Sequence, residues 1–107
     1  MTQDNSANQK KIIVHVDPEI EDLIPGFLEN RRNDVKTLQE ALTKGDYETI
    51  RILGHSMKGS GGGYGFDAIT EIGRSLEDAA KTKNTEETRR WVDELLHYLE
   101  RVEVVYE

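Results

Sequence analysis

Cysteine is absent from this 107-residue sequence, which excludes disulfide bonds, thiolate metal ligands and cysteine nucleophiles. Long apolar runs are absent too, since no segment approaches the ~18 residues that a membrane span requires. The N-terminal segment MTQDNSANQKK is polar and lacks the apolar core of a signal peptide. We therefore expect a cytoplasmic protein with one domain and one modest core.

An excess of positive charge is also missing. The chain has 21 acidic residues against 14 lysines and arginines, which gives a formal net charge of -7 at pH 7. Binding to a phosphate backbone requires a positive field. The basic residues are scattered, and no aromatic side chains are interleaved with them to stack on bases. The composition thus argues against nucleic acid and favours protein partners.

The chain divides into a short N-terminal part and a helical remainder. Residues 1–16 are predicted to form a flexible tail or a short extended arm, because only the β-branched stretch IIVHV at 12–16 favours extended structure. One isolated strand cannot make a sheet, so we expect this stretch to pack as an arm if it is ordered. Residues 17–107 carry helical patterns throughout.

Capping residues and glycines mark the first two helices. Asp17 followed by proline is a helix start, and Pro25 should interrupt or kink that helix early. Gly45 is a stop signal, and Asp46 caps the second helix. The apolar residues of these segments recur at helical spacing. The glycine run at 61–63 is expected to end the second helix.

Two further helices complete the fold prediction. The third is expected from residue 66 or 67 to about Lys83, and Asn84 then stops one helix and caps the next. The last is expected to run through Val102 almost to the C-terminus. Four amphipathic helices with short connections predict an all-α fold, an antiparallel up-and-down four-helix bundle.

The segment HSMKGSGGGYG, residues 55–65, holds the best candidate nucleophile. At about 100° per residue, His55 lies nearly opposite the apolar stripe of the second helix. Its neighbours on the outer half include Arg51, Lys58 and Gly59. An exposed histidine beside a cation is suited to accept a phosphoryl group from a large, negatively charged partner. The alternative is a surface histidine without a special role, which leaves the glycines unexplained.

Three residues are predicted to assist His55. Gly59, one turn later, clears space for another protein surface, and Lys58 can offset the charge of a phosphoryl group. If the chain reverses near residue 66, an antiparallel third helix brings Glu77 level with His55, where its carboxylate could hold one ring nitrogen. An ordinary solvated lysine and an ordinary surface glutamate are the alternatives.

Other kinds of site are weakly supported. In a phosphate-binding P-loop the lysine follows the glycines, whereas Lys58 precedes them. His15, His55 and His97 lie on different predicted elements without metal-ligand spacing. We therefore expect no metal and no cofactor in this chain, and no catalytic triad can be argued.

The segment 55–65 resembles the phosphoacceptor motif of histidine-containing phosphotransfer (HPt) domains. LIPGFLEN at 23–30 and Leu76-Glu77 are also similar to HPt sequences, so the resemblance covers roughly residues 16–105. The triple glycine departs from the usual pattern of small residues followed by a polar one, and should loosen the end of the second helix. The motif positions that match are His55, Met57, Lys58, Gly59, Ser60, Tyr64 and Gly65.

The resemblance implies a phosphoryl carrier rather than an enzyme. His55 would exchange a phosphoryl group with aspartates of response-regulator receiver domains, and the receiver would supply Mg²⁺ and the acidic cluster. A sensor or hybrid histidine kinase is the other expected partner, and a free-standing monomer is expected. The competing interpretation is a degenerate HPt domain, a helical interaction module that binds receivers or kinases without phosphotransfer. Such a module would be expected to lose the histidine or the lysine, and this chain keeps both.

Overall fold

The computed structural model describes residues 10–107 and is mostly helical. Residues 1–9, the greater part of the predicted tail, lie outside the described residues. Two short strands flank the helices in sequence, and two 3-10 turns, Pro18–Leu23 and Gly62–Tyr64, precede the first and third helices. The regular elements in chain order are β1 Ile12–Val16, α1 Ile24–Lys44, α2 Tyr47–Ser60, α3 Asp67–Lys81, α4 Thr85–Arg101 and β2 Val102–Tyr106.

The predicted capping residues are confirmed. The Asp17 side chain accepts a hydrogen bond from the Glu19 amide at the start of the first 3-10 turn. Gly45 ends α1 in the left-handed conformation with φ 71°, a backbone geometry that glycine adopts without strain. Asp46 caps α2 and Asn84 caps α4, each by accepting from the amide three residues later.

The predicted interruption at Pro25 is confirmed, whereas two predicted helix ends differ from the structure. The 3-10 turn that begins at Pro18 ends at Leu23, and Pro25 lies in the first turn of α1, where its missing N–H costs no hydrogen bond. α3 ends at Lys81, because Lys83 adopts a positive φ of 53° and reverses the chain before Asn84. α4 ends at Arg101 rather than continuing through Val102.

The residues after α4 form a strand, which corrects the prediction of helix up to the C-terminus. β2 pairs in parallel with β1, with Ile12 opposite Val102 and Val16 opposite Tyr106. The predicted arm at 12–16 therefore has a strand partner that the sequence analysis did not supply. The fold is mainly α-helical with one two-stranded parallel sheet, which packs on the helices through buried Val16. Such a small sheet needs helix packing to be stable.

The turn between α2 and α3 is built on aromatic packing. Phe66 is fully buried at the start of α3, and Phe27 of α1 lies between its ring and that of Tyr64, at centroid distances of 5.3 and 4.5 Å. Gly65 has φ 92° and lies against Val16. The turn at the end of segment 55–65 is thereby tied to both α1 and β1.

One core joins all four helices. Most of its members belong to the apolar stripes expected from helical periodicity. None of the described helices is long and apolar enough to cross a membrane. The side chains that are fully inaccessible to solvent include Leu38, Ile50, Met57, Phe66, Ile69, Leu76 and Leu95.

Candidate functional site

His55 lies in the middle of α2 with its ring exposed. Its side chain is 67% accessible, whereas Ile50 and Met57 of the same helix are completely buried. This exposure follows from the helical angle, because His55 is far around the helix from the buried stripe. The imidazole of His55 is thus open to contact with a partner protein.

Glu77 of α3 joins His55 and Lys58 in one polar cluster. Its Oε2 lies 3.0 Å from His55 Nδ1, and its Oε1 lies 2.9 Å from the ammonium nitrogen of Lys58. A carboxylate only accepts hydrogen bonds, so Nδ1 is the protonated nitrogen and donates to Glu77. Nε2 then carries the free lone pair. The cluster fixes the tautomer of His55 and leaves Nε2 as the nucleophilic atom.

The Glu77 carboxylate is buried although it is charged. Its side chain is only 6% accessible, against 37% for its partner Lys58. The Lys58 ammonium lowers the pKa of Glu77; burial acts in the opposite direction, and the His55 hydrogen bond lowers the pKa further. A buried carboxylate is stable only when it is paired in this way. Glu77 is therefore ionised at neutral pH and available to hold the imidazole.

The depressed pKa of Glu77 predicts acid sensitivity of the fold. A carboxyl group whose pKa is lower in the folded state contributes stability above its unfolded pKa and loses it as pH falls through the folded pKa. We expect Glu77→Gln to destabilise the protein at pH 7 and to differ progressively less from the unmodified protein as pH falls below about 4. Urea denaturation at pH 7, 5 and 3 measures this difference.

Glu71→Gln is the control for the acid experiment. Glu71 is an exposed carboxylate on the same helix, paired with Arg74 at 3.2 Å. Since exposed pairs contribute little, its replacement should alter stability only slightly at any pH. A Glu77→Gln effect that is equally large at pH 3 and pH 7 would contradict the assignment of a charged, paired Glu77.

Two glycines let α2 and α3 approach closely at this cluster. A Cβ atom added at Gly54 would lie 2.7 Å from the Glu77 amide nitrogen, and one at Gly73 would lie 2.6 Å from the Lys58 amide nitrogen. Both distances are far below van der Waals contact. The glycines thus lie against the backbone of the two residues whose side chains form the ion pair, and they set the distance between the helices there.

Sequence reasoning missed the role of this glycine pair. The available signal was a glycine inside each of two strongly amphipathic helices, which is costly unless a backbone approaches closely. Only the interhelical register shows that the two glycines face one another.

The side of His55 away from the ion pair is open and less polar. At about 100° per residue, Arg51 and Lys58 fall to one side of His55, and Ile52 and Gly59 fall to the other. Ile52 is 51% accessible, and a Cβ at Gly59 would touch nothing within 4 Å. The exposed surface around the ring therefore combines a cationic side with an apolar, unobstructed side.

The structure brings three of the four predicted site residues into contact. The fourth, a glycine, is outside this cluster and has open space around it. His55, Lys58 and Glu77 form the cluster, and Gly59 lies one turn beyond on the exposed surface. Among residues 10–107, no group of three or more His, Asp or Glu side chains is arranged to hold a metal ion. The arrangement can present an imidazole whose Nδ1 is held by Glu77 to a group carried by another protein.

Comparison with protein-family models identifies the family of this chain. The family model described as Hpt domain matches residues 22–104, which spans all four helices and the His55 cluster. Neither a curated protein nor a solved structure matches the chain significantly. Hpt domains serve histidine phosphotransfer in phosphorelays, where they work with receiver domains and kinases. Since the match covers well over half of the sequence, the chain belongs to the Hpt domain family.

Proposed function

We propose that the chain is an active phosphoryl carrier that accepts and donates a phosphoryl group at Nε2 of His55. The observation that carries this proposal is the contact of one buried carboxylate, Glu77, with both the His55 ring and the Lys58 ammonium. A domain that only binds partners has no need of a held tautomer or of an ionised carboxylate buried behind the ring. We therefore favour phosphotransfer over the degenerate interaction module.

The transfer step is an in-line displacement on phosphorus. The Nε2 lone pair of His55 attacks the aspartyl phosphate of a receiver domain, the N–P bond forms, and the bond from phosphorus to the aspartate oxygen breaks. The bonding electrons leave with the aspartate carboxylate. The Nδ1 proton stays on the ring and keeps its hydrogen bond to Glu77, which balances the positive charge that the ring gains. The reverse step returns the phosphoryl group to a receiver.

The chain and its partner divide the work of catalysis. Lys58 screens the charge of the incoming phosphoryl group, Glu77 orients the ring, and the exposed face of α2 docks the receiver. The Mg²⁺ and the acidic cluster that assist cleavage of the aspartyl phosphate belong to the receiver in this scheme. The chain is then a carrier rather than an enzyme, and a histidine kinase is the expected upstream partner.

The helix arrangement that we propose for this carrier is an antiparallel up-and-down bundle. Its support lies in the contacts between α2 and α3, which run in opposite order: Gly54 lies against Glu77, and Gly61 lies against Thr70. The short connections on either side, residues 45–46 and 82–84, favour reversals between the other neighbouring helices.

The test of the proposed function is phosphoryl transfer from a panel of radiolabelled phospho-receivers. We expect label on the chain that is lost in acid and stable in alkali, the behaviour of phosphohistidine. Phosphorus NMR should assign it to Nε2 of the ring. Failure to take up label from receivers that bind the chain with measurable affinity would favour the interaction module instead.

Gly59→Leu tests the docking face. Among residues 10–107, no atom lies within 4 Å of a Cβ added at position 59, so the variant should fold normally. A leucine there would stand between His55 and a docked receiver, and misplacement by about 1 Å can lower a transfer rate about 100-fold. We expect transfer from a phospho-receiver to slow by about 10- to 100-fold. Rapid-quench kinetics measure the rate.

Gly59→Ala is the matched control for this variant. A methyl group extends less far from the helix, and alanine raises helix propensity by about 0.5–1 kcal/mol. We expect this variant to be at least as stable as the unmodified protein and to retain most of its transfer rate. Equal transfer rates for the leucine variant and the unmodified protein would exclude Gly59 from the docking face.

A further inference from the structure

Arg51 is a second cation beside His55 that the proposed transfer step does not use. It lies one turn before His55 on α2, whereas Lys58 lies one turn after it. Four and three residues correspond to about 40° and 60° in the same direction around the helix, so both cations lie on the same side of the ring. Positions four apart are neighbours, with Cβ atoms about 5–6 Å apart. The guanidinium of Arg51 therefore has His55 within reach.

Arg51 is held by Glu48, one turn further back. Its Nη2 lies 2.7 Å from Glu48 Oε2, and its Nε donates to Glu48 Oε1 at 3.3 Å. The side chains are 38% and 68% accessible, so this is a surface ion pair in contact with water. Exposed pairs of this kind contribute little and exchange readily with other partners.

Two carboxylates, those of Glu48 and Glu77, act electrostatically on Arg51. The Glu48 hydrogen bond raises the pKa of Arg51 most, and the Glu77 carboxylate raises it further. Lys58 is differently situated, because its ammonium is in contact with the buried Glu77 carboxylate, whose other close partner among residues 10–107 is His55. Lys58 would leave a buried charge unpaired if it turned fully to a new anion. Arg51 can turn without that loss.

A phosphoryl group on Nε2 of His55 would give Arg51 a second anionic partner besides Glu48. It brings a charge between about −1.5 and −2 and three acceptor oxygens, as phosphate monoesters do. A guanidinium presents a planar fork of donors that fits two phosphoryl oxygens, and such contacts are stronger than those to an exposed single-charged carboxylate. Glu48 is then the weaker of the two available partners for Arg51.

We propose that Arg51 leaves Glu48 when His55 is phosphorylated and binds the phosphoryl oxygens, while Lys58 stays on Glu77 and contributes charge from one turn further along α2. Glu48 holds the guanidinium ready in the unphosphorylated protein. Arg51 is thus a phosphoryl-binding residue and Glu48 competes with the phosphoryl group for it. This assignment rests on the proposed function, since it requires a phosphoryl group at His55.

The pair Arg32–Glu29 of α1 provides a matched control. It has the same i,i+3 spacing and a 3.2 Å contact, and its side chains are 50% and 63% accessible. Arg32→Gln and Glu29→Gln change the net charge of the protein as Arg51→Gln and Glu48→Gln do. All four residues are on the surface, so the variants are expected to fold, which circular dichroism checks.

The experiment phosphorylates the full chain with phosphoramidate, a small donor that needs no docking face. The phosphorus–nitrogen bond of the donor breaks, its nitrogen leaves as ammonia, and the phosphoryl group passes to the ring nitrogen. The titration of the phosphoryl group is then followed by phosphorus NMR in the unmodified protein and the four variants. A nearby cation favours the dianion and therefore lowers the pKa of the phosphoryl group.

The Arg51 and Glu48 variants are expected to shift the pKa of the phosphoryl group in opposite directions. Arg51→Gln should raise the pKa of the phosphoryl group by about 0.2–0.7 units, and Glu48→Gln should lower it. Arg32→Gln and Glu29→Gln should shift it less than the Arg51 and Glu48 variants do, because their ion pair is on α1 and not on the helix that carries His55. The Arg51 Nε–H resonance should also move on phosphorylation of the unmodified protein.

The outcomes separate this inference from the proposed function. If His55 is phosphorylated and Arg51→Gln shifts the titration no more than Arg32→Gln, the role of Arg51 is refuted and the carrier function stands. A shift confined to Arg51→Gln, with Glu48→Gln unchanged, would refute the competition by Glu48. If neither phosphoramidate nor any phospho-receiver places a phosphoryl group on His55, both proposals fail.

Discussion

Replacement of His55 by glutamine is expected to reduce phosphoryl labelling to background. Glutamine retains a polar side chain of similar size and can still donate an amide hydrogen to Glu77, but it has no nitrogen lone pair able to attack phosphorus. His55 is also the only described histidine that contacts both a buried carboxylate and, through it, a lysine. Labelling by phospho-receivers and by phosphoramidate, measured side by side, gives the result.

Folding must be preserved for this result to count. Because the His55 side chain is two-thirds exposed, we expect the variant to unfold within about 4 °C of the unmodified protein. His97→Gln is the control, since His97 is exposed on α4 and has no such cluster. It should label normally. Label retained by His55→Gln would place the phosphoacceptor elsewhere and refute the site.

Gly73→Ala is expected to destabilise the protein and to disturb the His55 cluster at once. The added methyl carbon would lie 2.6 Å from the Lys58 amide nitrogen, 2.7 Å from the Gly54 carbonyl oxygen and 2.8 Å from Met57 Cβ. Two of these atoms belong to the backbone, so no rotamer change relieves the overlap. The helices must separate by about 1 Å to restore normal contact.

Two opposing effects decide the size of the change. Overpacking a close contact costs about 1–3 kcal/mol, and the upper part of that range, about 2–3 kcal/mol, applies here because two of the overlapping atoms belong to the backbone. Replacing glycine by alanine in a helix returns about 1 kcal/mol through propensity. We therefore expect a net loss of about 1–2 kcal/mol in the free energy of unfolding, measured by urea denaturation. The contacts of Glu77 with His55 and Lys58, now 3.0 and 2.9 Å, should lengthen. Nitrogen NMR of the His55 ring should then show a mixture of tautomers.

Gly61→Ala separates the packing effect from the effect on the site. A Cβ there would lie 2.7 Å from the Thr70 amide nitrogen, an overlap as severe as that at Gly73. Thr70, however, is two turns of α3 away from Glu77. Gly61→Ala should cost similar stability and leave the His55 tautomer largely unchanged. Equal tautomer mixtures in both variants would show that Gly73 acts only on stability. A Gly73→Ala protein as stable as the unmodified one would refute the close approach itself.

The helical part of the fold was predictable because its signals are local. Asp46 and Asn84 cap by binding an amide three residues away, and Gly45 stops a helix through its own backbone conformation. The exposure of His55 follows from its angle to Ile50 and Met57 on one helix. None of these features depends on a distant part of the chain, so the sequence carries them directly.

The C-terminal strand was missed because its cause is not local. Val102 continues the apolar spacing of α4, and the segment VEVVY at 102–106 favours a strand only if a partner strand is available. That partner, Ile12–Val16, lies at the other end of the chain. Local periodicity and long-range pairing disagreed at this point, and the pairing prevailed because both strands also bury side chains on the helices.

The sequence by itself determined four amphipathic helices, an exposed histidine with a lysine one turn away, and membership of a family with a phosphoacceptor motif. Only the tertiary structure decided that Glu77 reaches both His55 and Lys58, and that Gly54 and Gly73 allow it to do so. The physical reason is that helical angle and capping are set within one turn. The distance and register between helices depend instead on how two surfaces from different parts of the chain fit together.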